Sequence, residues 1–147
     1  LSDEPSGKLT FNLGTVQGDA ASFIIRINYR YPVTKTYEDC APILNQAFAE
    51  SGFTQLKEIH KKCLYLPENS PLVQTLLRVY AEQTGLPPYP KSIGGGTYAK
   101  VIPNIVAFGP IFPGDEVREH KPDEFIKIDE LMQNAHILAE ALYQLAK

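Results

Sequence analysis

The sequence is short of the features that usually assign a chain quickly. Cys40 and Cys63 are its only cysteines, and they fall in no CxxC or Cys/His spacing. That excludes a disulfide framework and a structural zinc knuckle, and it reads as reduced thiols of a cytoplasmic protein. No apolar run approaches the ~18 residues that a membrane span needs. The opening LSDEPSGK lacks the charged-then-apolar order of a signal segment. Positive charge is not in excess: 14 Lys and Arg stand against 17 Asp and Glu, a net charge of -3. With no basic stripe to neutralise phosphates, nucleic acid and anionic membrane are poor partners, which leaves small molecules, peptides or other proteins. Internal repeats and low-complexity tracts are absent. The chain begins with Leu1 rather than Met, which reads as a piece of something longer.

What is present is a chain of 147 residues with 44% apolar content, enough to bury a core in one domain or two small ones. Residues 8–18 and 22–33 both alternate with period two. In the second stretch Phe23, Ile25, Ile27 and Tyr29 share one face, and the short QGDAA between the stretches predicts an antiparallel pair. A helix follows, with Cys40, Leu44, Ala47 and Phe48 at helical spacing and Gly52 as its left-handed terminator. Pro42 is expected in its first turn, which favours Asp39 over Thr36 as N-cap. Residues 53–67 read as a third strand. Strand, strand, helix, strand is most of one split β-α-β layer.

Beyond LYLPENSP, the expected domain boundary, Ser70 and Pro71 mark a second helix start, and Gly85 with Pro87 and Pro88 its end. The glycine loop SIGGGTYAK, a short strand NIVAFGP, a charged loop and a strand-like EFIKI come next. A last helix is expected from about Asp129, burying Leu131, Met132, Ala135, Leu138, Ala139, Leu142 and Leu145.

Three histidines are available for chemistry. His136 falls on the polar side of the last helix and His60 among lysines, so both read as ordinary solvated side chains. His120 sits in PGDEVREHKPDEF, beyond a short apolar stretch, where a scaffold presents functional groups. It is either a surface histidine or one ligand of a metal site whose other ligands lie elsewhere, since no second histidine or paired carboxylate stands at ligand spacing. Asp115, Glu116, Glu119, Asp123 and Glu124 read as a solvated rim. GGGT at 94–97 lacks the lysine and hydroxyl residue of a phosphate loop. It either lets a substrate's carboxylate or carbonyl approach the main chain or makes a tight turn. Arg30, at the end of its strand, either pairs structurally or offers its planar fork to a carboxylate.

Taken together, INYRYP, SIGGGTYAK, NIVAFGPIFPGDEVREHKPDEFIKIDEL and AEALYQLAK resemble the C-terminal part of PepV-type dipeptidases. These belong to the larger family of co-catalytic zinc peptidases that includes aminoacylases and carboxypeptidase G. The resemblance covers the whole chain in order, and its specific part is the string from GGGTYA through AFGP to His120. It implies an α/β protein with α+β character. Residues 1–66 would be the closing part of a split β-α-β, ferredoxin-like lid domain, and residues 67–147 the C-terminal segment of an α/β catalytic domain. It implies hydrolysis of free dipeptides by a water activated on two zinc ions, with His120 as the last zinc ligand. Arg30 would hold the substrate's C-terminal carboxylate, with Gly95 and Gly96 near the same end. The family's bridging aspartate, remaining ligands, base glutamate and lid histidine belong upstream of Leu1. The 147 residues alone are therefore expected to be inactive, poor in metal and inclined to self-associate through exposed edges. A non-catalytic α+β binding module and a dimerisation module are the competing classes.

Overall fold

The computed structural model describes residues 1–147, a mixed chain of two small antiparallel sheets and three α-helices. Its contacts divide it into two units. One is Leu1–Tyr65 with Ser92–Gly96, and the other is Leu66–Lys91 with Thr97–Lys147.

The first unit is built on a hairpin of β3 (Thr10–Gly18) and β4 (Phe23–Arg30). Phe11 faces Tyr29 and Leu13 faces Ile27; an irregularity at Gly14 then lets Val16 face Ile25. Without that extra residue the second half of β3 would turn its polar side to the apolar face of β4. The Asp19 carboxylate closes the turn by accepting from the Ala21 and Ser22 amides. A smaller pair, β1 (Ser2–Asp3) with β2 (Gly7–Lys8), precedes it.

Helix α1 (Tyr37–Glu50) covers part of the hairpin's apolar face: Phe48 meets Phe11 edge-on at 6.2 Å between ring centres. Cys40, Ala41 and Leu44 are buried beneath it. The helix starts earlier than expected. Thr36, not Asp39, is the N-cap. Asp39 is the third helical residue and completes a reciprocal pair, in which Thr36 Oγ1 accepts from the Asp39 amide and Asp39 Oδ2 from the Thr36 amide. Satisfying two orphan donors outweighs the bond Pro42 forfeits inside the helix. At the other end Gly52, at φ 82°, makes the expected left-handed stop: its amide bonds to Ala49 O and that of Phe53 to Phe48 O.

Residues 53–67 form no strand. The segment nonetheless runs alongside β4 in the same direction, with Phe53 against Phe23, Glu58 against Tyr29 and His60 against Tyr31. No main-chain hydrogen bond joins the two. The contacts between them are made by side chains, and without main-chain bonds there is no ladder.

In the second unit α2 (Pro71–Thr84) packs on α3 (Ile128–Leu145). Leu76, Val79, Ile137 and Ala141 form the core, and Leu72, Val106, Phe108 and Phe112 pack against it. Residues 104–110 and 124–128 are not strands. The chain's ladders are confined to β1–β2 and β3–β4, and without a ladder an extended segment is no strand. The inward face of α3 also differs from expectation. Ile137 and Ala141 are buried, whereas Leu131, Met132, Leu138, Leu142 and Leu145 are exposed, Leu142 to 69%. Apolar residues cover more than one side of this helix, and α2 takes the narrower one, where the small Ala141 permits close approach.

The two helix starts differ in a testable way. Ser70 is the N-cap of α2, but its hydroxyl makes no cap bond and is buried without a partner. Thr36→Ala is expected to lower stability by about 1 kcal/mol, and Ser70→Ala to be neutral or slightly stabilising, as read from urea-unfolding midpoints.

Candidate functional site

Strand alternation decides which way the end of β4 points. Tyr29 lies on the α1 side, its ring 5.9 Å from Phe11, so Arg30 projects to the opposite face. There it meets the glycine loop. A methyl group added to Gly94 would stand 3.0 Å from Arg30 Nη1 and 3.5 Å from Cζ, so the guanidinium rests against bare main chain. Gly95 and Gly96 follow in an exposed bend, with nothing within 4 Å of the place a Gly95 side chain would take. Arg30 is exposed and belongs to none of the chain's ion pairs. A planar donor fork free of carboxylate partners beside a side-chain-free loop is an arrangement able to receive an anionic group.

The chain leaving Arg30 is pinned close by. Asp3 Oδ2 accepts from the Thr34 amide and hydroxyl, both at 2.9 Å, and Oδ1 accepts from the Ser6 amide and hydroxyl. Ser6 Oγ in turn accepts from the Val33 amide at 3.0 Å. Partial desolvation works against ionisation of Asp3, but the four donors outweigh it and hold the carboxyl at about 2.

Sequence reading passed over a cluster on the other side of the same strand end. Tyr29 Oη donates to Glu58 Oε1 at 2.9 Å, and Gln55 Nε2 donates to Glu58 Oε2 at 2.6 Å. Tyr31 Oη lies 2.7 Å from His60 Nε2, and the Tyr37 ring lies 4.5 Å from the His60 ring. Desolvation, followed by the bond to Glu58, pushes the Tyr29 phenol up; the bond from Gln55, with the nearby Tyr37 hydroxyl and the bond from Tyr29, holds Glu58 down. The signal was the tyrosine on each side of Arg30, which an alternating strand must send to one face together.

His120 lies in the second unit, exposed and at φ 62° in a turn that also holds Asp123 at φ 57°. A left-handed backbone costs a residue with a Cβ about 1 kcal/mol or more, so the surroundings must enforce it. Part of that enforcement comes from Glu124, whose Oε2 accepts from the His120 amide at 3.3 Å. The ends of the loop are tied to α3. Asn134 Nδ2 donates to Pro110 O at 2.8 Å, with its Oδ1 against Gly109. Lys127 bridges Asp115, at 2.9 Å, and Glu130. Asp115 is therefore a staple and not part of a solvated rim; the bond from Lys127 lowers its pKa, while Glu130 and then Asp115 raise that of Lys127. No group of three His, Cys, Asp or Glu side chains in the chain could hold a metal ion. His120 is one donor, and the donors present do not make up a metal site.

Comparison with known proteins assigns the chain to a family. The model of "Peptidase family M20/M25/M40" matches residues 5–144. The "Putative dipeptidase YtjP" of Bacillus subtilis is 40% identical over 147 residues, covering 99% of this chain and 31% of that protein. A "Putative dipeptidase" of Staphylococcus epidermidis is 36% identical over 141 residues, covering 95% of this chain and 30% of that protein. The "Beta-Ala-Xaa dipeptidase" of Lactobacillus delbrueckii subsp. lactis is 43% identical over 83 residues, covering 56% of this chain and 18% of that protein. The chain thus spans less than a third of the length of these relatives.

The Asp3 staple makes the first unit sensitive to acid. A carboxyl whose pKa is lowered by folding stabilises the fold above its usual range, and that contribution is lost as pH falls toward about 2. Between pH 5 and pH 2 the wild-type chain should lose more stability than Asp3→Asn, measured by urea midpoints at each pH; equal losses would reject the staple.

Proposed function

Because the chain belongs to peptidase family M20/M25/M40, we propose that it is part of a metal-dependent dipeptidase of the PepV type that hydrolyses free dipeptides. The observation that carries this reading is the unpaired Arg30 guanidinium resting against Gly94. An enzyme confined to free dipeptides must recognise a terminal carboxylate close to the scissile bond, and a bidentate arginine does so with both charge and geometry. Gly95 and Gly96 leave room for that end of the substrate. The net charge of -3 and the absence of a basic stripe favour a small peptide over nucleic acid or membrane.

Residues 1–66 are read as the closing part of a split β-α-β lid domain. The passage from β4 through α1 to a segment running alongside β4 supports that assignment. Residues 67–147 are read as the last segment of the catalytic domain. Peptidases of this family are generally metal-dependent, usually on zinc. When bound, zinc supplies an activated water and Lewis acidity. His120 is the one ligand this chain would contribute; the other ligands and the base glutamate would come from outside the 147 residues. Two unpaired thiols, Cys40 buried and Cys63 half-buried, favour a reducing compartment, the cytoplasm, and no helix is long and apolar enough to cross a membrane.

In the full-length protein, Arg30→Ala should lower kcat/KM on free dipeptides about 100-fold with bound zinc unchanged, the loss of a charge-assisted pair. His120→Ala should lower the zinc content measured by atomic absorption. Unaltered kinetics for the first or full zinc occupancy for the second rejects the corresponding role.

The 147-residue polypeptide by itself should neither retain stoichiometric zinc nor turn over dipeptides. Its uncovered apolar faces, with Leu13 exposed to 61% on the hairpin and Leu142 to 69% on α3, should make it associate as concentration rises in sedimentation runs. A monomer at high concentration would count against association, and stoichiometric zinc against the single-ligand reading.

A further inference from the structure

Arg30 ends a strand that is paired on one side only. Its ladder partner is Thr10 of β3, and the opposite edge of β4 carries no main-chain bonds. A terminal strand residue of this kind frays unless something else holds it. Here the holding groups are the two neighbouring tyrosines, with Tyr29 bonded to Glu58 and Tyr31 to His60. Glu58 is itself held by Gln55, and His60 is flanked by the rings of Tyr31 and Tyr37. Each bond lies one residue from Arg30, one before it and one after. Fixing both neighbours on the α1 side leaves Arg30 a single direction, outward onto Gly94.

We propose that Glu58 and His60 are positioning residues for Arg30: through Tyr29 and Tyr31 they clamp the end of β4 so that the guanidinium fork faces the glycine loop. The inference rests on the reading of Arg30 as the carboxylate-binding residue and adds a specificity device to it. Two aromatic contacts that hold the unit together, Phe11–Phe48 and Phe23–Phe53, involve neither side chain. Loss of the clamp therefore frees the arginine in a unit that remains folded. The consequence is selective, because substrates with a free terminal carboxylate suffer and those without one do not.

The experiment uses the full-length enzyme and two probes, alanyl-alanine and alanyl-alanine amide, with kcat and KM determined for each. The double variant Glu58→Ala/His60→Ala should raise KM for the free dipeptide about ten-fold and lower its preference over the amide by the same factor, with kcat within about two-fold. Tyr29→Phe/Tyr31→Phe, which keeps both rings, should show the same loss. Glu58→Gln/His60→Gln, which keeps an acceptor at each position, should restore most of it. General damage to the fold would instead lower kcat for both probes together and leave the preference intact. Arg30→Ala is the control for the underlying reading. If it leaves the preference unchanged, the carboxylate role fails and the clamp with it. If Arg30→Ala abolishes the preference while the alanine and phenylalanine variants keep it, the carboxylate role stands and the clamp alone is overturned.

Discussion

Alternation along β4 is the constraint on which the first unit depends. A strand sends successive side chains to opposite faces, so three consecutive residues, Tyr29, Arg30 and Tyr31, serve two purposes without competing. The tyrosines look inward to α1 and the 53–65 segment; the arginine looks outward to Gly94. The irregularity at Gly14 serves the same arrangement. It restores the phase of β3 so that Phe11, Leu13 and Val16 all lie on the face that carries Tyr29. A one-residue slip would place Arg30 on the apolar side and the tyrosines on the glycine-loop side.

The second unit solves a different problem, that of giving shape to a loop with almost no regular structure. Residues 109–127 have no ladder to lean on. They are held at their ends by α3, through Asn134 on Pro110 O and Lys127 between Asp115 and Glu130. A helix is a suitable anchor because its own hydrogen bonds are internal and its side chains sit at fixed intervals. Glu130 and Asn134, one turn apart, reach separate points of the loop. His120 lies between the tied ends with a left-handed backbone that few residues other than glycine accept.

Local chemistry was readable from the sequence, and so was most of what neighbours in the chain do to one another. The hairpin follows from alternation and a short turn, the end of α1 from Gly52, and the limits of α2 from Ser70, Pro71 and Gly85. What escaped depends on partners distant in the chain. Residues 53–67 have strand composition, yet a strand exists only where a ladder forms, and here the bonds to β4 are made by side chains alone. The apolar side chains of α3 cover so much of its surface that periodicity could not say which side would meet α2. The start of α1 was misjudged because Pro42 was weighed without the capping pair of Thr36 and Asp39 upstream of it. In the candidate site, Arg30 and the glycine loop were each visible as residue types, but their meeting was not, because Gly94 comes 64 positions after Arg30. The clamp went unread for the same reason: His60 among lysines looks solvated until Tyr31 and Tyr37 are placed beside it.

These placements divide the chemistry unevenly. A zinc ion requires about four donors, and the chain gathers no group of three His, Cys, Asp or Glu side chains that could hold one. On the proposed reading, what it holds is an orienting apparatus: a fork, a bare loop for the fork to face, and hydrogen bonds on both flanks of the fork. If Arg30 and His120 act as proposed, orientation and activation of a substrate draw on different stretches of sequence. Orientation is the part that hydrogen bonds within a small unit can secure, because it needs only fixed directions and no reactive centre. Activation needs donors converging from several segments, and one histidine in a stapled loop can be no more than a single vertex of that figure.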